Sequence, residues 1–184
     1  MVLDNRCSWC NTKNQKYINY HDNEWGVPVY DDTLLLEMLT LEMFHSGLSF
    51  EIVLNKRENF RKAFKDYSVE KICCMTEKDI EELLNDSGIV RHRRKIESAI
   101  NNTQIFKEIQ KELGSFSKYL WSFTEGEIIY ENGKTKSELS DTVSKDLKNR
   151  GMKFLGTTTV YAYLQAIGII NSHDKNCFLC KKES

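Results

Sequence analysis

The chain has 184 residues, 40% of them hydrophobic and 29% charged, with one proline and nine glycines. That length and balance exclude a disordered segment and allow one well-cored domain, while the scarcity of proline and glycine points to helices. The net charge of −1 excludes attraction to nucleic acid through a global field, so any such contact must come from a local basic patch.

The first residues, "MVLDNRCSWC", carry no apolar leader, and "VYAYLQAIGII" is too short and too polar to span a bilayer, so a cytoplasmic protein is expected. Residues 20–26, "YHDNEWG", crowd aromatics, acids and an imidazole into one loop. Next, "DDTLLLEMLTLEMFHSG" reads as an apolar helix begun near Asp31 or Asp32 and stopped by Gly47. Leu35, Met38, Leu39 and Glu42 share one face of it. A carboxylate on an apolar face must be paired, hydrogen-bonded or turned to a polar cavity.

Helical patterning continues through "SFEIVLNKRENFRKAFKDY", with Ser68 and Thr76 as candidate N-caps, and Thr76 with Asp79 forms a capping box for "EKDIEELLN". After Gly88 a long helix is predicted from about His92 to Leu113, ended by Gly114. The stretch "TEGEIIYENGKTKSELS" reads as hairpin-like or irregular, turning at Asn132-Gly133. A capped helix over "SDTVSKDLKNRG" and a last one from about Thr158 to Ile167 bring the sum to roughly eight to ten helices.

Three constellations carry chemistry. Cysteines pair as Cys7/Cys10, Cys73/Cys74 and Cys177/Cys180. The middle pair reads as core packing. At the ends, Cys7 and His21 with His173 and Cys177 would complete a tetrahedral N/S shell for zinc, and Cys7, Cys10, Cys177 and Cys180 would do so equally well. Either closed four-ligand site would be structural.

The second is "NDSGIVRHRRKI", which places Arg91, Arg93, Arg94 and Lys95 where a new helix begins. This is the layout of a helix-hairpin-helix, whose backbone N–H groups and cations meet a phosphate. Cations at a helix N-terminus oppose its dipole unless an anion sits between them. The third is an aromatic set, Tyr17, Tyr20, Trp25 and Phe50, near Glu42 in sequence; such rings can sandwich an extruded base, and a cationic ring best.

With "YHDNEWG", Glu42, "GLSF", "GIVRHRRKI", "KFLGTT" and His173-x3-Cys177 in one order, the sequence resembles the 3-methyladenine DNA glycosylase I family from about Arg6 to Cys177. The resemblance implies an all-α helix-hairpin-helix glycosylase fold in a single domain, 1–184. Its helix-hairpin-helix would lie around 77–100, and a zinc-binding lobe would join about 1–30 with 165–184. It assigns structural Zn2+ to Cys7, His21, His173 and Cys177, leaving Cys10 and Cys180 as extras.

The resemblance also puts Glu42 in the role of the residue that bonds a flipped base, in a pocket lined by Tyr17, Tyr20, Trp25 and Phe50. Phe50 stands where the family usually has tryptophan, so its ring is smaller and lacks the indole N–H. Leu48 becomes the wedge filling the vacated stack, and Gly88, Ile89, Val90, Arg91, Arg93 and Arg94 become the DNA contacts. The implied activity is monofunctional release of 3-methyladenine by a monomer acting on double-stranded DNA, with no membrane partner. No aspartate occurs between Asp86 and Asp141, which fits a family that acts on an already labile base. Two rival readings are a metal-dependent phosphohydrolase built on His21, Asp22, His45 and His92, and a zinc-stabilised DNA-binding module without turnover.

Overall fold

The computed structural model describes residues 5–180. Its ten α-helices are α1 Gln15–Asn23, α2 Asp32–His45, α3 Phe50–Asn55, α4 Arg57–Ala63, α5 Val69–Cys73, α6 Glu77–Asn85, α7 Arg93–Leu113, α8 Phe116–Ser122, α9 Glu138–Asn149 and α10 Thr157–Ala166. The ends of the expected zinc lobe, 1–4 and 181–184, lie outside the described residues.

Helix α2 is the axis of the fold. Every residue from Leu35 to Phe44 is buried, so the helix is enclosed on all sides and not only on the apolar face that the spacing indicated. Asp31 caps it by accepting from the Leu34 N–H at 2.8 Å. Asp32 accepts the N–H groups of Phe116 and Ser117, both at 2.9 Å, and so ties the start of α2 to the start of α8. Tyr163 on α10 donates its hydroxyl to the Leu35 carbonyl at 3.0 Å. α2 ends in a turn in which the Leu48 N–H donates to the His45 carbonyl at 2.7 Å. Ser46 at φ −48°, ψ 114° and Gly47 at φ +82° make this a type II turn, which needs glycine at its third position.

Most predicted boundaries agree to within a residue or two. The capping box of Thr76 and Asp79 is present, and Gly114 ends α7 at φ +88°. Helix α9 begins at Glu138, ahead of the capped start expected at Ser140, because Ser137 and Ser140 form its capping box. Of the two expectations for the stretch after α8, hairpin-like or irregular, the irregular one holds. Its strand β1, Ile129–Tyr130, pairs in parallel with β2, Ile170–Asn171. Both β1 residues are exposed, so no buried face favours folding the segment back on itself, and its backbone bonds to the C-terminal segment. Cys73 is half-buried against the core and Cys74 exposed, so the reading of that pair as core packing is corrected for Cys74.

The two ends of the chain are stitched together. Phe178 donates its N–H to the Asn5 carbonyl at 2.9 Å, Gly26 to Gln165 at 3.0 Å and Val29 to Ile167 at 3.0 Å. Gly168 makes that approach possible: a Cβ there would lie 2.3 Å from the Val27 carbonyl carbon.

Candidate active site and metal centre

Two buried carboxylates on α2 have opposite surroundings. Glu37 is fully paired, accepting from Arg57 Nε at 2.7 Å and Arg61 Nε at 2.8 Å, while Arg57 also donates to Glu24 at 2.6 Å. Glu42, only 4% exposed, has no guanidinium partner among the described residues. Its neighbour is His45, whose Nδ1 lies 3.3 Å from Oε2. Glu42 instead lines a cavity of about 370 Å³ with Trp9, Tyr17, Tyr20, Trp25, His45 and Phe50. A volume of that order suits a small flat ligand.

The rings meet edge to face or tilted. Trp9 is the hub, with its centroid 4.8 Å from Trp25, 5.7 Å from Tyr17 and 6.5 Å from Tyr20. Phe50, at the start of α3, lies 5.0 Å from Tyr20 and 5.5 Å from His45. Burial, followed by the charge of Glu42, holds the Tyr20 hydroxyl well above its ordinary range, so it remains a donor beside that carboxyl. Thus Tyr17, Tyr20, Trp25, Glu42 and Phe50, all singled out from sequence, share one cavity. Trp9, Lys134, Gln165, Ser172 and Asp174 also line it and were not singled out, and neither was His45 except as a ligand in the phosphohydrolase reading. The one available signal for Trp9 was its place between Cys7 and Cys10.

Behind the aromatic wall, one ligand atom from each of Cys7, His21, His173 and Cys177 gathers within 4.8 Å of the others, all four residues being buried. The Cys7 Sγ to His173 Nδ1 distance is 3.4 Å, and Cys177 Sγ lies 3.5 Å from both His21 Nε2 and His173 Nδ1. A tetrahedral zinc with sulfur at about 2.3 Å and nitrogen at about 2.0 Å sets such pairs about 3.5 Å apart. The donor set therefore fits the ion in both chemistry and spacing.

Burial, reinforced by His21, lowers the His173 pKa to about 4, leaving its ring neutral as a ligand must be. Burial also pushes the Cys7 thiol up to about 12 against the opposing Asp174 N–H, so a cation is what would make it a thiolate. His21 Nδ1 lies 2.7 Å from Asp22 Oδ1, and Asp22 is clamped by Arg6 at 2.6 Å. This orients the ring from its far side. Cys10 and Cys180 lie outside the four; Cys10 Sγ faces the Tyr17 carbonyl at 3.9 Å. His45 sits in the cavity and His92 caps α7 by accepting from the Lys95 N–H at 3.3 Å, so the histidines of a phosphohydrolase centre are dispersed.

The chain belongs to the methyladenine glycosylase family. The family model described as methyladenine glycosylase matches residues 9–180. DNA-3-methyladenine glycosylase 1 of Escherichia coli K12 is 42% identical over 178 residues, covering 94% of this chain and 95% of that protein. A structure described as the basis of 3-methyladenine recognition by 3-methyladenine DNA glycosylase I of Staphylococcus aureus superposes with a TM-score of 0.92 at 39% identity, covering 98% of this chain and 99% of that one. A tyrosine-to-phenylalanine variant of a 3-methyladenine DNA glycosylase I, solved in complex with 3-methyladenine, gives a TM-score of 0.89 at 39% identity, with 94% and 96% covered.

Away from the methyladenine glycosylase cavity, the expected DNA contacts are unequal. Leu48 is 39% exposed on its type II turn. Ile89 is buried and Val90 packs against the core, so only their backbones could face a phosphate. The Gly88 N–H is taken by Asp86 Oδ1 at 2.7 Å. Arg93 is held by Glu77 at 2.6 Å, by Glu81, and by Glu97 at 3.5 Å. Lys95 is buried and turned inward. Arg91 and Arg94 are exposed and make no ion pair among the described residues, so the free cations of the cluster are these two.

Proposed function

We propose that this protein is a DNA-3-methyladenine glycosylase, a hydrolase acting on N-glycosyl bonds, which flips 3-methyladenine out of alkylated double-stranded DNA and releases it as the first step of base excision repair. The observation that carries this reading is Glu42, a buried carboxyl with no arginine or lysine partner among the described residues, which lines an aromatic cavity beside His45. Methylation at N3 makes adenine a cation with N–H donors, which is what such a cavity lacks. The relatives named for this base and the structure holding it support the same ligand.

In the proposed reaction the N9–C1′ bond breaks with its electron pair passing to the base, neutralising the ring. Water oxygen then adds to the oxocarbenium-like C1′ and loses a proton to solvent. Because the leaving group is already activated, this chain needs to extrude, orient and select the base, and no general base is required beside C1′. Asp174 at the cavity wall accepts the Ser8 N–H at 2.7 Å and belongs to the terminal lobe. The cavity's lysine, Lys134, is paired with Glu131 at 2.5 Å, which supports a monofunctional glycosylase in which no lysine forms an imine.

The fold would be a helix-hairpin-helix glycosylase, with α6, residues 86–92 and α7 as the hairpin unit. Arg91 and Arg94 would carry its phosphate contacts and Leu48 would fill the emptied stack. Zinc would be held by Cys7, His21, His173 and Cys177, supplying a closed cross-link and no open coordination position.

The test is chromatographic identification of the bases freed from methylated duplex DNA by wild type and by Glu42→Gln. Free 3-methyladenine from wild type, strongly reduced in the variant, is expected. Release of no base by DNA-binding, zinc-loaded protein would overturn the reading.

A further inference from the structure

Lys95 stands in the first turn of α7 within the basic cluster, yet its side chain turns away from solvent. It is 6% exposed. Its ammonium donates to the Phe44 carbonyl at 2.9 Å and the Ser46 carbonyl at 2.6 Å, and burial lowers its pKa. No carboxylate pairs with it among the described residues. The C-terminal carbonyls of α2, which would otherwise lack donors, hold the charge in place, and the dipole of α2 favours a cation there.

Both acceptors occupy consequential positions. Ser46 is the second residue of the type II turn that displays Leu48, and Phe44 lies in the last turn of the helix that carries Glu42. At its own end, the Lys95 backbone sits one residue beyond Arg94 and donates its N–H to His92, the N-cap of α7. One side chain therefore spans from the basic start of α7 to the turn beneath Leu48 and the end of the pocket helix. Burying an ammonium is costly, and what this one gains is the satisfaction of two carbonyls, at the end of α2 and in the turn beneath Leu48.

We propose that Lys95 is a positioning residue that couples phosphate engagement at the start of α7 to insertion of Leu48 and presentation of the base to Glu42. This inference rests on the glycosylase reading and adds a mechanical link to it. When α7 seats on the DNA backbone, the ammonium fixes the Ser46 carbonyl and thereby the direction of Leu48. Without that link, the pocket and the DNA surface are each intact but act independently.

The test compares wild type, Lys95→Met and Lys95→Arg in three assays. These are single-turnover base release from methylated duplex, quenching of tryptophan fluorescence by free 3-methyladenine, and Kd for undamaged duplex. A 2-aminopurine beside an abasic-site analogue adds a readout of stack insertion. For Lys95→Met, which removes both charged hydrogen bonds, the expected result is release slower by about tenfold or more. Free-base affinity and duplex Kd should stay within twofold, the 2-aminopurine signal should fall, and Lys95→Arg should recover part of the rate.

An unchanged release rate would overturn the proposal. So would a parallel loss of free-base affinity, which would make Lys95 a support of the pocket alone. Should Lys95→Met not fold, Lys95→Gln, which still donates to one carbonyl, carries the same comparison. Absence of base release by the wild type would overturn the glycosylase reading and this inference with it, whereas a variant equal to an active wild type overturns the coupling only.

Discussion

Glu37 and Glu42 show why a carboxylate's partners matter more than its burial. Glu37 is neutralised by two guanidinia and belongs to the scaffold, whereas Glu42 keeps an acceptor turned to the cavity. Glu42→Gln preserves shape and removes charge, so base release should fall by about 10- to 100-fold while the thermal midpoint changes little; single-turnover kinetics beside a melting curve checks this. Phe50→Trp enlarges the ring against Tyr20 and His45 and should tighten free-base binding by about 2- to 5-fold, read by fluorescence titration. Five of the cavity's residues were legible in the sequence because they crowd around two short motifs. Trp9 was not: it precedes α1 and folds back onto Trp25 and Tyr17, and no local periodicity records that.

At the scale of the helices, the basic start of α7 separates into three functions that the string "RHRRK" does not distinguish. Arg93 is spent on carboxylates of α6 and α7, Lys95 on carbonyls at the end of α2, and Arg91 and Arg94 remain exposed. Replacing Arg91 and Arg94 together by alanine should weaken duplex binding and flatten the log Kd against log salt slope by about 2, roughly one for each phosphate contact. Arg93→Ala should leave that slope unaltered and lower the thermal midpoint slightly, since its exposed pairs are worth little. Titrations at several salt concentrations separate the two variants. The helices themselves were legible from caps and glycine stops, such as Thr76 with Asp79 and Gly114. The parallel pairing of β1 with β2 was not, because a two-residue strand leaves no alternation to read.

Over the whole molecule, the cluster of Cys7, His21, His173 and Cys177 sits directly behind the aromatic wall. His173 is 4.7 Å from Trp25 and His21 is 5.2 Å from Trp9, centroid to centroid. Cys177→Ser should therefore lose the metal, lower the thermal midpoint and weaken free-base binding together, while Cys10→Ser keeps the metal. Metal content by elemental analysis, paired with fluorescence titration, tests both; equal metal loss in the two variants would restore the four-cysteine alternative. Acidification should release the ion, because thiols and imidazoles must shed protons to bind it.

The proposed cross-link would join positions 166 apart in the sequence, and this separation implies an order of events during synthesis. The segments bearing Tyr17, Tyr20, Glu42 and Phe50 leave the ribosome early, but His173, against which Trp25 packs, and the cavity-lining Ser172 and Asp174 come only later. A nascent chain can thus complete most of its helical core while it still has no finished pocket. Competence to excise a base then waits until residues 172–177 have emerged and docked.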